Sequence, residues 1–170
     1  VDDVMEVAPG MAPEPVLLDV GQLVAETCLD WARINELAPG PEDRLSCSLP
    51  AQPLLILFDP EHLRRVLINL LDNALRHAEP GPASVQVLLD AEDEHGARLT
   101  VFSAGAAIAP EVERHLFEPF FSTRSRGSGL GLYICRELCE RYGARIDYRR
   151  RADPARPGNA FTLLLRRSAT

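Results

Sequence analysis

The sequence has no lysine: all eighteen basic residues of its 170 are arginines. A Walker A phosphate loop, which closes on a lysine, is thereby excluded. None of the four cysteines (Cys28, Cys47, Cys135, Cys139) stands in a CxxC pair, so zinc ribbons and thioredoxin-like redox sites have no support. Cys135 and Cys139 are four apart on an expected helix, where they could share a metal or serve as small apolar packing. Reduced thiols in a cytoplasmic compartment are the expectation. No apolar run approaches the roughly 18 residues of a membrane span; the longest candidate, Leu54–Phe58, is strand-sized. The N-terminal Val1-Asp2-Asp3 has neither the basic region nor the apolar stretch of a signal peptide. Internal repeats are also lacking. Membrane-spanning, collagenous and disulfide-scaffold classes therefore fall away. A start at Val1 rather than Met reads as a piece of a longer chain.

What is present suits one soluble globular domain. Hydrophobic residues at 46% against 25% charged can fill a core that needs no disulfide or structural metal. The net charge of −7 hides an asymmetry. Residues 1–120 carry 7 Arg against 21 acidic residues, whereas residues 121–170 carry 11 Arg against 4. A basic C-terminal third could attract nucleic acid or the phosphates of a nucleotide, or could simply be a solvated face. The acidic remainder argues against a nonspecific DNA binder.

Along the chain, residues 8–16 are rich in Pro and Gly and read as a linker. Asp19 is placed to cap a helix whose apolar positions are Val20, Leu23, Val24, Thr27, Cys28, Trp31 and Ile34. Residues 44–49 and 54–58 read as a strand pair joined through Pro50 and Pro53. Asp59-Pro60 then opens the clearest helix, to about residue 78, with a stripe of Leu63, Val66, Leu67, Leu70, Leu71, Ala74 and Leu75. Strands are expected at 84–90 and 98–102, a short helix at 110–116, and a loop over 117–129. A helix over about 130–143 and strands at 144–150 and 160–167 complete an α+β order.

Two constellations carry chemistry. Asn69, Asn73, Arg76 and His77 form a polar stripe beside the leucines of the 60–78 helix. Asparagine is a mediocre helix former, so two of them one turn apart ask for a reason. A carboxamide oxygen can ligate a hard cation such as Mg2+, and an arginine one turn on can hold a phosphate; a solvent-exposed polar face is the plainer alternative. The second constellation is Gly127-Ser128-Gly129-Leu130-Gly131-Leu132, opening the following helix. Glycines at a helix N-terminus let backbone N–H groups approach an anion. The GxGxG spacing after a polar loop disfavours a dinucleotide fold, which needs GxGxxG directly after a strand.

Taken together and in order, these motifs are recognisable. The run from Leu67 through Asn69 and Asn73 to His77 resembles the N box of the ATPase/kinase superfamily that includes gyrase and the sensor histidine kinases. Phe117-Glu118-Pro119-Phe120-Phe121-Ser122-Thr123 resembles its F box, and residues 127–132 its G2 box. The likeness to a histidine kinase catalytic, ATP-binding domain covers roughly residues 17–167. Within it, Ser125 through Cys139 resembles sensors controlling type IV pili.

The resemblance implies a two-layer α/β sandwich of Bergerat type, its mixed sheet covered on one face by helices, with a flexible ATP lid over about 104–128. It implies ATP and Mg2+ as cofactors and makes Asn73 the metal ligand, with Asn69 beside the nucleotide. Arg76 and His77 would contact phosphate or ribose. Ser103, Gly105, Ile108, Phe120 and Thr123 would line the nucleotide site, and residues 127–132 would wrap the phosphates. Gyrase-like hydrolases place a water-activating Glu four residues before the metal Asn; here that position is Asn69, which cannot act as a base, so transfer to a protein side chain is favoured over hydrolysis. The G1 box departs from the family pattern: where Asp-x-Gly-x-Gly is usual, residues 103–107 read Ser-Ala-Gly-Ala-Ala.

The family's phosphoacceptor histidine sits in a His-Glu/Asp context, which His62, His77, His95 and His115 all lack. Residues 1–15 are thus expected to be a linker remnant after a missing dimerisation hairpin, and residues 16–170 the catalytic domain. The implied partners are that histidine-containing dimerisation domain and a cognate response regulator, with no nucleic acid and no membrane contact by this fragment. The implied location is cytoplasmic, beneath a membrane-anchored parent. A degenerate, nucleotide-poor regulatory module and a related ATPase or serine kinase of the same fold remain the alternatives.

Overall fold

A computed structural model describes residues 14–37, 43–120 and 131–168. The chain runs β1 (Val16–Asp19), α1 (Val20–Ile34), β2 (Leu45–Ser48), β3 (Leu55–Phe58), α2 (Pro60–His77), β4 (Val85–Ala91), β5 (Gly96–Ala104), α3 (Pro110–Glu113), α4 (Gly131–Arg141), β6 (Arg145–Arg151) and β7 (Gly158–Arg166). The main sheet has the order β2-β4-β5-β7-β6. Its β2–β4 pair is parallel and the others antiparallel, so the sheet is mixed.

The alternation read from sequence sets the faces. Register pairs Val87 with Val101 and Val101 with Phe161, and all three are buried. Against this layer lie the apolar faces of α1, α2 and α4 in one continuous core. Fully burying each large aliphatic chain contributes about 1.5–3 kcal/mol, and six residues of the expected α2 stripe are at most 3% exposed. The opposite sheet face carries Thr100 and Thr162, whose hydroxyls meet at 3.2 Å, and Phe102. Phe102 is fully covered because the Arg151 guanidinium stacks on it, 3.8 Å from the ring centroid.

Local chemistry sets the helix starts. Asp19 accepts a hydrogen bond from Gly21 N at 3.0 Å to cap α1. Asp59 Oδ1 accepts from Glu61 N and His62 N at the start of α2, with Pro60 in the first turn. The other oxygen of Asp59 accepts from Glu14 N at 3.1 Å. Trp31 Nε1 donates to Asp72 at 2.9 Å, joining α1 to α2.

Three expectations need correction. Residues 44–49 and 54–58 do not pair with each other: β2 joins β4 in parallel, while β3 joins β1 antiparallel in a separate two-stranded sheet. The linker reading over 8–16 missed that Val16 begins a strand. Ile34, counted in the α1 stripe, is 74% exposed at the last turn. Among the described residues no helix is long and apolar enough to cross a membrane.

Candidate active site

The leucine face of α2 is spent on the core, which leaves Asn69, Asn73, Arg76 and His77 along its flank. Asn69, Asn73 and His77 are half-buried and Arg76 is exposed. The Asn69 amide nitrogen is buried with no hydrogen-bond partner at ordinary distance, turned toward the Cys135 sulfur of α4, on which it acts electrostatically. Burial pushes the Cys135 thiol up, and its Sγ leans on Val66 O at 3.7 Å. Burial likewise pushes the Cys139 thiol up to about 12. Both cysteines are core residues, and no group of three or more His, Cys, Asp or Glu among the described residues could hold a metal.

The end of β5 is stitched to the end of α2. Glu79 N donates to Ala104 O at 2.9 Å, and Ala104 N to Ser84 O at 2.8 Å. Arg44 reaches over the same junction, donating to Ser84 Oγ at 3.1 Å and Glu79 O at 3.1 Å. That cation lies just past the helix C-terminus, where the helix dipole favours positive charge. Gly105 then turns the chain with φ +141°, and a Cβ there would stand 3.5 Å from His77 O and 3.2 Å from Glu79 Cγ. The N-box helix and the G1 segment thus meet backbone to backbone. Ser103 is 5% exposed and registers with Asn159 of β7. Ala107 is exposed and is not among the non-glycine residues with positive φ, so its methyl demands no left-handed backbone.

Sequence reading missed Asn159. This 4% exposed side chain clamps the segment after β5: its Oδ1 accepts from Ile108 N at 3.0 Å and its Nδ2 donates to Ala106 O at 2.9 Å. Tyr148 of β6 donates its hydroxyl to the same Oδ1, and burial raises the Tyr148 pKa. The only sequence signal was an amide in an otherwise apolar strand run. Asn159→Ala removes the partner of the Ile108 N–H and of the Tyr148 hydroxyl, both part-buried, at up to about 1–3 kcal/mol for each group left unmade. Urea unfolding should therefore show a lowered midpoint with an unchanged slope.

Of the F box, Phe117 packs edge-on against Phe161 at 6.1 Å between centroids. Phe120 is 76% exposed with φ +65°. Gly131 opens α4 with open space around a would-be Cβ, and Leu132 packs partly on the core. Thr123, Gly127, Ser128, Gly129 and Leu130 lie outside the described residues.

Comparison with known proteins places this geometry. Residues 58–169 match the family described as histidine kinase-, DNA gyrase B-, and HSP90-like ATPase. The chain is 33% identical over 157 residues to the sensor protein kinase PilS of Pseudomonas aeruginosa, covering 90% of this chain and 29% of that protein. With the C4-dicarboxylate transport sensor protein DctB of the same organism it shares 34% identity over 139 residues, covering 80% and 22%. It thus spans under a third of either relative. The nucleotide-free catalytic domain of the histidine kinase ThkA aligns with TM-score 0.70 at 26% identity, covering 90% of this chain and 95% of that one. The mycobacterial sensor histidine kinase MprB shares the fold at TM-score 0.75 and 23% identity, covering 92% and 100%. The chain belongs to the histidine kinase-, DNA gyrase B- and HSP90-like ATPase family and is a catalytic, ATP-binding domain of the sensor histidine kinase kind.

Proposed function

We propose that the chain binds Mg-ATP between α2 and the segment after β5 and passes the γ-phosphoryl to a histidine on a separate dimerisation domain of its parent, for onward transfer to a response regulator. The observation that carries this reading is the junction of α2 with β5, where Gly105 lies against the His77 carbonyl beside the Asn69–Asn73 flank. The residues fit the metal: the two carboxamides stand one turn apart, and Asn73 is half-buried on the flank of α2 with an oxygen of the hard type Mg2+ takes. Asn73 would offer its oxygen to Mg2+, and the bound metal would supply charge neutralisation at the phosphates. Arg76 would add positive charge from the next turn. Asn69 has no proton to take up or give at neutral pH, which favours positioning for transfer over activation of water. The segment 106–108, held by Asn159, would border the base, where Ser103 offers a neutral hydroxyl in place of the usual carboxylate.

The histidines suit this division of labour. His62 is buried with Nδ1 2.6 Å from Tyr142 Oη, and His115 lies 2.8 Å from Glu118. Incubated with radiolabelled Mg-ATP, the chain should not label itself but should label an added hairpin domain carrying the phosphoacceptor. The incorporated label should be acid-labile and base-stable. Labelling of the chain alone would overturn the reading in favour of a serine kinase. The nucleotide-poor regulatory reading is favoured by Ser103, and calorimetric titration showing no Mg-ATP binding would select it. On this proposal the domain works in the cytoplasm under a membrane-anchored parent.

A further inference from the structure

Two cysteines outside the nucleotide site face each other. Cys28 lies on the buried face of α1 and is 3% exposed. Cys47 sits on β2, opposite Val87 of β4 in the parallel register. Paired residues of neighbouring strands point to the same side of a sheet, and Val87 is fully buried under the helices. Cys47 therefore points toward the helix layer, where α1 packs against β2. Because β2 is the sheet's outermost strand, Cys47 is also open to solvent. The two side chains are near enough to perturb each other. The neighbouring Cys28 holds the Cys47 thiol below its ordinary range, against burial and the nearby Asp43 carboxylate, while Cys47 and burial push Cys28 up. An accessible sulfur with thiolate character next to a buried thiol is the arrangement of an attacking and a resolving cysteine.

We propose that Cys28 and Cys47 are an oxidisable dithiol that peroxide converts to an intrachain disulfide between α1 and β2. The Cys47 thiolate attacks one peroxide oxygen; the O–O bond breaks, and the departing hydroxide takes up a proton as water, leaving a sulfenic acid. The Cys28 sulfur then attacks the Cys47 sulfur, the S–O bond breaks, and the leaving hydroxide takes the Cys28 proton as a second water. Two thiols lose two electrons and one peroxide is reduced to two waters. Backbone movement needed for closure falls on β2, which is hydrogen-bonded to a strand on one side alone.

The test treats the full 170-residue chain with hydrogen peroxide, blocks remaining thiols and digests with trypsin without reductant. Cleavage after Arg33, Arg44 and Arg64 separates the two cysteines into residues 1–33 and 45–64. The expected product is those peptides joined with loss of two hydrogens, restored by dithiothreitol, from protein that stays monomeric on a non-reducing gel. Cys28→Ala should stop at a Cys47 sulfenic acid that dimedone traps, and Cys47→Ser should leave Cys28 reduced. The thermal midpoint of the parent should rise on oxidation and return on reduction. Cys47 oxidised to sulfinic acid with Cys28 still reduced, a disulfide between two chains, or a midpoint that falls on oxidation would each overturn the proposal. None of these readouts depends on nucleotide binding.

Discussion

Asn73→Ala should weaken Mg-ATP binding at least tenfold, about 1.4 kcal/mol, while leaving the fold intact. The side chain is half-buried on the flank of α2, away from Leu63, Val66, Leu67, Leu70, Leu71 and Ala74, which form the packed face. Its removal opens no hole between the helix layer and the sheet. Alanine is also the better helix former, by up to about 0.7 kcal/mol, so stability should hold or rise slightly. On the proposed function, what is lost is a hard oxygen for Mg2+ beside the phosphates. Calorimetry with Mg-ATP reads the affinity, and a thermal melt of the same sample reads the fold. A variant that binds as tightly as the parent would remove Asn73 from the site. A variant that loses both binding and its melting transition would show instead that Asn73 is structural.

Gly158→Ala should be the most damaging small substitution in the sheet. A Cβ at this position would stand 2.2 Å from the Ser103 carbonyl oxygen and 2.6 Å from the Phe102 ring. The first of these is backbone, which cannot swing aside as a long side chain does. Gly158 pairs with Ala104 on one side and Arg151 on the other, so relief requires β5 and β7 to separate or β6 to shift. Forcing one extra carbon into a closed space costs about 1–3 kcal/mol, and more where backbone must move. Each kcal/mol lowers the melting temperature of a domain this size by about 2–4 °C, so a drop of several degrees is expected in calorimetric scans. The same displacement would move Ser103, so Mg-ATP affinity should fall along with stability. An unchanged melting temperature would mean that the strands part more easily than their ladder suggests.

Much of this was legible because it is local. The α2 stripe is periodic over five turns, its cap and proline sit at the first turn, and the helix ends within one residue of expectation. The strands β4 and β7 alternate over most of their length because one face meets helices and the other does not. The N box could be read since its residues share one helix. What failed was long-range pairing. β2 and β3 are neighbours in sequence with prolines between them, yet β2 finds its partner some forty residues away. Nothing in a four-residue strand with one leucine and two serines specifies which edge it will join. β1 was hidden for a related reason: Val16 and Leu17 are 45% and 44% exposed, so no buried face disciplines the pattern. Asn159 and the Cys28–Cys47 pair share this blindness, each being defined by what folding brings opposite it. The glycines of the G2 box could be read from the sequence, and those at 127 and 129 lie outside the described residues.

The double use of Asp59 has a mechanical consequence. One carboxylate oxygen holds Glu14 as the chain enters β1, and the other holds the first turn of α2. β1 and β3 run antiparallel with Val16 opposite Phe58, so the entering chain and the root of α2 leave the pair at the same end. Tension between them does not slide the strands past each other; it peels them, one hydrogen bond at a time, beginning at Val16 and Phe58. Peeling needs far less force than sliding, because the bonds fail in series rather than together. The first contact in line is the Glu14–Asp59 bond, and a capping side chain contributes about 0.5–2 kcal/mol to its helix. A tug on this lead-in segment therefore bears, through Asp59, on the root of the helix that carries Asn69 and Asn73.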